Sequence, residues 1–209
     1  MEGGLVAEHV ALCIPSGEMV HADFMLSVLH VAQNARAAGF RVSVVNSKLS
    51  IVTEARNLCV TAALKAKVDW VLFLDSDMVF PADTMKRLHA RQVPIVGATY
   101  PRKMWPLAFI GTRKDGAPFT LSDRGMVEAG RVPTGCLLIK ADVFAQLKAP
   151  YFRCGYDEQA GLVLGEDFWF SDRVRELGLP LWCDLDLSRQ VEHIGAQRFV
   201  WREKPENRP

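Results

Sequence analysis

Two aspartates one residue apart, Asp75 and Asp77, close an apolar run in the stretch "WVLFLDSDMVF". On an extended chain, residues two apart point to the same side. Two carboxylates side by side at a strand end make a hard-oxygen site suited to Mg²⁺ or Mn²⁺. Such an ion can bridge the oxygens of a diphosphate. The competing reading is a simple strand-end turn, because Asp and Ser are common turn residues. Arg56 and Asn57, in "TEARNLC", form a second candidate. With Thr53 capping a helix, Arg56 falls in the first turn, where a cation opposes the helix dipole. It needs a negative partner there, a nucleotide phosphate or an acid such as Glu54, unless it is a solvated surface arginine. Glu166 and Asp167 open a further helix after Leu164 and Gly165. Acids in a first turn complement the dipole. A catalytic carboxylate in that place would keep a low pKa and be ionised as a base at neutral pH. His193, in "QVEHIG", matters if the fold carries it to the aspartates, where a neutral imidazole can complete a metal shell. His21 sits in the loop after the first strand, near the presumed cleft.

These residues need a scaffold, and the first half of the chain supplies an alternation. "HVALCIPS", "FRVSVV", "WVLFL" and "VPIVGATY" read as strands. Between the first two, Phe24, Val28, Val31, Ala32 and Ala35 recur at helical spacing, with Gly39 as the stop. The next helix carries Ala55, Leu58, Cys59, Ala62, Ala63 and Ala66 as its apolar stripe, and a helix after Pro81 carries Met85 and Leu88. Such alternation predicts a mostly parallel twisted sheet with helices on both faces. Ligands of open sheets bind beyond the carboxyl ends of the strands, where Pro15, Ser16, Asp75 and Asp77 fall. Residues 101–132 read as loops or short hairpins. "GCLLIK" is a strand followed by the short helix "ADVFAQLK", "GEDFWFSDRVRELGLP" is a helix, "LWCDLDL" is a last strand, and 202–209 is a tail.

Composition narrows the class. The chain has 209 residues, 49% hydrophobic and 23% charged, which suits one domain with a sizeable core. A formal net charge of +1 gives no field that draws it to nucleic acid or acidic membrane. No apolar run reaches the roughly 18–20 residues of a membrane helix, and "MEGGLVAEHV" lacks the basic and apolar regions of a signal peptide. Cys13, Cys59, Cys136, Cys154 and Cys183 are scattered, with no CxxC pair, and read as reduced core or pocket thiols. The expectation is a soluble cytoplasmic protein.

In order along the chain, these pieces resemble a known family. "CIPS", "ARN" and "FLDSDM" resemble the nucleotide-binding half of a GT-A-fold glycosyltransferase, here about residues 10–100. "VPTGCLLIKADVF", "GEDFWFSDRVRELGLPLW" and "EHIG" resemble the acceptor half of family 2-like members, about 101–195. The resemblance implies an α/β, Rossmann-like GT-A fold and transfer of a sugar from a nucleotide-sugar donor, a UDP-sugar foremost, to an acceptor hydroxyl with inversion. It implies that Asp75, Ser76 and Asp77 bind the diphosphate, and that Asp75 and Asp77 with His193 hold Mn²⁺ or Mg²⁺. It places Arg56 and Asn57 at the nucleotide pocket and Pro15 and Ser16 under the base or ribose. Asp167, beside Glu166, matches the base that deprotonates the acceptor, with Thr134, Gly135 and Trp169 on the acceptor side. Two features depart from the family. "VVNSKLS" has no acid where many members hold uracil with an aspartate, and "AQRFVWRE" does not form the QxxRW motif of polymerising members.

Two rival readings use the same residues. "LFLDSDMVF" also fits the first motif of haloacid dehalogenase-like phosphohydrolases, with Asp75 as nucleophile, Asp77 as acid/base, and Lys140 and "GED" as later motifs. Those enzymes place the motif on their first strand, whereas about 70 residues precede it here. A non-catalytic nucleotide-sugar-binding domain is the third reading, although the acidic residues are all in place. For the acceptor, "YPRKMWPLAFIGTRK" sets Arg102, Lys103, Arg113 and Lys114 among Tyr100, Trp105 and Phe109. Cations among aromatics can receive a nucleic acid, or the loop is solvated with its aromatics tucked inward. Short stand-alone transferases resemble phage-encoded ones, which makes a hydroxymethylated DNA base one acceptor to consider beside a glycan.

Overall fold

The first apolar run becomes β1 (His9–Ser16), buried along its whole length. The computed structural model describes residues 7–158, 161–195 and 198–200, so the 202–209 tail lies outside the described residues. After β1 come α1 (Ala22–Ala37), β2 (Arg41–Lys48), α2 (Val52–Lys65), β3 (Trp70–Leu74), β4 (Met78–Val79), α3 (Thr84–His89) and β5 (Ile95–Gly97). Then follow β6 (Thr112–Arg113), β7 (Met126–Arg131), β8 (Cys136–Lys140) and α4 (Ala141–Gln146). The hairpin of β9 (Gly155–Asp157) and β10 (Leu162–Leu164) leads into α5 (Glu166–Glu176). The described chain closes with β11 (Trp182–Asp184), α6 (Leu185–Ser188), β12 (Glu192–Ile194) and β13 (Arg198–Val200).

Eight strands form one sheet in the order β2-β1-β3-β8-β5-β11-β7-β6. β2, β1, β3, β5, β11 and β6 point one way, and only β8 and β7 run against them. β3 is apolar at every position because both faces of the sheet are covered there. Val71 and Phe73 of β3 pack with Cys59, Val60 and Ala63 of α2, Phe144 of α4 and Phe170 of α5. Leu72 and Leu74 pack on the other face with Phe24 and Val31 of α1 and Met85 and Leu88 of α3. This is the mostly parallel α/β sheet that the sequence pattern predicts, helices on both faces included.

Four local expectations are corrected. Ile51, not Thr53, precedes α2 as its cap residue, so Arg56 lies beyond the first turn. The buried stripe of α2 is Ala55, Arg56, Cys59, Val60 and Ala63, whereas Leu58 is exposed. The helix is rotated so that a charged side chain faces inward, which apolar periodicity alone cannot foresee. "LWCDLDL" is a strand only as far as Asp184, whose carboxylate then caps α6 by accepting from the Leu187 amide at 2.9 Å. Within 101–132, β7 joins the main sheet beside β11. Of the cysteines, Cys154 is exposed and the other four are buried free thiols.

Candidate active site

The alternation along β3 decides where its terminal acid points. Val71 and Phe73 face α2, so Asp75, next in that parity, does too. Arg56 of α2 meets it there, only 4% exposed. Its Nη2 donates to both oxygens of Asp75, at 2.9 and 3.0 Å, while its Nη1 donates to Oε1 of Glu166 at the start of α5. Burial alone would loosen the guanidinium proton, but Asp75 and Glu166 more than reverse that, and the pKa moves up. Arg56 therefore does have the negative partners its placement demands, though neither is Glu54. It ties the aspartate loop to the helix that opens the second acidic pair.

Asp77 has different company. Lys103 Nζ donates to its Oδ2 at 2.5 Å, and His193 Nε2 lies 3.7 Å from the same oxygen. Burial raises the Asp77 pKa, yet His193 and Lys103 outweigh it and hold the carboxyl down at about 2. β12 delivers His193 by pairing with β4, His193 opposite Met78, and the Ile194 amide donates to the Asp77 carbonyl at 2.7 Å. His193 Nδ1 sits 2.9 Å from the Pro101 carbonyl, which can only accept. That carbonyl holds a proton on Nδ1 in either state of the ring, so it is Nε2, facing Asp77, that a lost proton would free for a metal. The Tyr100 ring packs edge-on against the imidazole, centroids 5.0 Å apart.

Beneath Asp75 lies Gly135. Its amide donates to the Tyr100 hydroxyl at 3.0 Å and its carbonyl accepts from the Asp75 amide at 3.0 Å. A Cβ at this position would stand 2.3 Å from the Tyr100 oxygen, and 2.7 Å from both Asp75 Oδ2 and Met78 Sδ. Gly135→Ala is expected to lower stability by about 1–3 kcal/mol through overpacking. Gly17→Ala, where no described residue beyond its chain neighbours lies within 4 Å of the new Cβ, should stay within about 0.5 kcal/mol of the parent. Thermal unfolding of the two variants checks this, and equal effects would refute it. Thr134 is buried, and its hydroxyl has no hydrogen-bond partner among the described residues.

Pro15, Ser16, Gly17, Leu49, Val52, Ala55, Asp75, Ser76 and Asp77 line one cleft of about 220 Å³ at the carboxyl ends of β1 and β3. Five residues expected at a nucleotide site thus share one surface. Asn57 instead clamps the chain. Its amide nitrogen donates to the Thr53 and Phe152 carbonyls at 2.8 and 2.7 Å, and its oxygen accepts from the Tyr151 and Phe152 amides at 2.8 and 3.1 Å. Trp169 packs under Arg173, whose guanidinium lies 5.7 Å from the ring centroid.

The two acids of α5 divide their roles. Glu166 is committed to Arg56. Asp167 accepts from the Phe168 amide at 2.8 Å, and its pKa is not low, as its helix position suggests, but raised to about 6. Burial is the largest cause and the Glu166 charge the next, and together they exceed the pull of Arg56 and the Phe168 amide. A base with a pKa near the working pH combines a high ionised fraction with real proton affinity.

No family model and no curated protein matches the chain by sequence. Solved structures do match by shape. A197 from STIV superposes with a TM-score of 0.64 at 16% identity, covering 97% of this chain and 98% of that one. A mutant of Drosophila β-1,4-galactosyltransferase 7, in complex with manganese, UDP-Gal and xylobiose, gives 0.51 at 12% identity, covering 95% and 72%. The fold is GT-A-like. At these identities the likeness speaks for the architecture alone.

A metal on this GT-A-like fold has to be judged from the donors present. Asp77 Oδ2 and Nε2 of His193 face each other, and a carboxylate with a neutral imidazole could together hold Mn²⁺ or Mg²⁺. Asp75, expected to complete the set, is instead turned to Arg56. Among the described residues no three or more acid, His or Cys side chains gather for an ion. The protein thus offers a fitting pair, with room in the open cleft for oxygens from a ligand. Sequence reasoning read Tyr100, which holds Gly135 and His193 together, only as an acceptor-loop aromatic, and Lys103 only as an acceptor-loop cation. That loop is less available than expected. Lys103 pairs with Asp77, Arg113 with Asp115 and Asp123, and Lys114 with Glu128, while Tyr100 is buried.

Proposed function

We propose that the protein is a glycosyltransferase that moves a sugar from a nucleotide-sugar donor, a UDP-sugar foremost, to an acceptor hydroxyl with inversion. The observation that carries this reading is the Arg56 bridge. It sets the aspartate loop, at the mouth of the cleft, beside the helix start that bears Asp167. Pro15, Ser16 and Ser76 would receive the nucleotide and its diphosphate. Asp77 and His193 would hold Mn²⁺ or Mg²⁺, which supplies positive charge to the departing diphosphate. A fellow GT-A-like protein crystallised with manganese and UDP-Gal supports this choice of ligands.

In the reaction, the acceptor oxygen attacks the anomeric carbon as the bond from that carbon to the diphosphate oxygen breaks. The hydroxyl proton passes to Asp167, whose raised pKa fits it to take one. Glu166 cannot share this task while it neutralises Arg56. Thr134 and Gly135 form the wall below Asp75, and Trp169 lies two residues beyond the base on the same helix. The acceptor hydroxyl belongs to a glycan or to a hydroxymethylated DNA base. The phosphohydrolase reading fares worse, because its nucleophile Asp75 has both oxygens engaged by Arg56.

A panel of nucleotide sugars with Mn²⁺ tests the proposal. Release of free nucleoside diphosphate from one donor is expected, reduced about 10²–10³-fold in Asp77→Ala, the scale of losing one electrostatic stabiliser. Turnover of a simple phosphomonoester with phosphate trapped on Asp75 would overturn it. Nucleotide-sugar binding without any turnover would leave only the non-catalytic reading.

A further inference from the structure

Each aspartate of the motif is already paired with a cation of the protein, and the two pairs differ in kind. Arg56 is 4% exposed on a packed helix and is held by two carboxylates at once. It has nowhere to go. Lys103 is 35% exposed, its partner Asp77 is 47% exposed, and a single contact joins them. Its backbone belongs to a loop pinned at its base, where the Arg102 amide donates to the Ala108 carbonyl at 2.9 Å and Pro101 bridges to Phe109. The side chain can leave while the loop stays. An exposed ion pair of this kind is weak and readily exchanged, and the lysine stem is a flexible chain that carries a point charge.

The oxygen that Lys103 engages is the one facing His193 Nε2. Only one cation can use that oxygen fully. The same loop also fixes the imidazole proton through Pro101, so one short segment both prepares the donor pair and covers it. We infer that Lys103 is a displaceable counter-ion. It neutralises Asp77 in the absence of ligand, yields the oxygen to a divalent cation, and turns its ammonium to the diphosphate that arrives with that cation. The inference rests on the glycosyltransferase reading for the diphosphate and on the Asp77–His193 pair for the ion. Cation and nucleoside diphosphate are then coupled, because each supplies what the exchange takes from the other, and the coupling is reciprocal.

The test is a Mn²⁺ titration of the full chain without nucleotide, with free Mn²⁺ followed by electron paramagnetic resonance. Lys103→Ala should bind Mn²⁺ about fivefold more tightly than the parent, the upper range for an exposed ion pair. Lys103→Arg, which keeps the charge, should stay near the parent. In the presence of Mn²⁺, the best bound of UDP, GDP, CDP and ADP should bind Lys103→Ala about fivefold or more weakly. Unchanged or weaker Mn²⁺ affinity in Lys103→Ala overturns the inference, as does Mn²⁺ binding that survives Asp77→Asn. Parental turnover of a nucleotide sugar, measured alongside, separates the two claims. Turnover with an unresponsive Lys103→Ala defeats the counter-ion alone. No turnover and no nucleotide binding defeats the transferase reading, while the Mn²⁺ titration still decides whether Lys103 competes for Asp77.

Discussion

Replacing Arg56 by methionine is expected to destabilise the protein by about 3–5 kcal/mol, more than any single surface change. Methionine fills the volume of the stem but leaves Asp75 and Glu166 facing each other without their shared cation. Breaking a buried ion pair from one side costs far more than the pair contributes net, because the orphaned charges stay desolvated. Adding Glu166→Gln to the methionine variant should restore part of the loss, since it removes one of the two stranded carboxylates. Arg56→Lys should not rescue, because one ammonium cannot match the fork that reaches both acids. Urea unfolding of the three variants measures these differences. A methionine variant within about 1 kcal/mol of the parent would mean that water or rearrangement solvates the acids, and the bridge would lose its structural claim.

The second large effect is on catalysis. Asp167→Asn is expected to lower sugar transfer about 10²–10⁴-fold, the contribution of a positioned general base, while donor binding persists. In the parent, the rate should rise with pH and level off above about 6, where Asp167 becomes ionised. Stability should move the other way. A carboxyl whose folded pKa lies above its unfolded value holds its proton more tightly when folded, so ionising it weakens the fold as pH rises through about 6. Asparagine removes that penalty. The variant should therefore be more stable than the parent at pH 8, by on the order of 1–2 kcal/mol, and the gap should close toward pH 4. A rate plateau unaffected between pH 5 and 7, or a variant less stable at pH 8, would assign Asp167 another role.

Much of the frame was legible in the sequence because buried central strands advertise themselves. "HVALCIPS", "WVLFL" and "GCLLIK" are apolar at nearly every position and became β1, β3 and β8. β7, "MVEAGR", is largely half-buried, broken by Glu128, Gly130 and Arg131, and paired with β11 far along the chain, so nothing local marks it as a strand of the main sheet. The hairpin of β9 and β10 hides for a similar reason, its Tyr156, Leu162 and Val163 being exposed. In the candidate site, the acids and His193 were found by type and order. Their partners were not. Arg56 is 110 residues from Glu166 and Lys103 is 26 from Asp77 in sequence, separations over which spacing carries no geometry. The Asp167 pKa was misjudged because the helix N-terminus is visible in a sequence, whereas burial beside a second acid is not.

The order β3-β8-β5 has a consequence for how the molecule comes into being. β5 leaves the ribosome before β8, yet β8 lies between it and β3, so the first hundred residues hold a sheet with an open seam. Two strand edges wait there for one later segment, with the unpaired amides and carbonyls that invite wrong partners. Cys136–Lys140 is the closing piece, and Thr134 and Gly135 arrive at its leading end. A nascent chain would therefore have its aspartates in place before it has the wall beneath them, and ligand competence should appear only as the seam shuts.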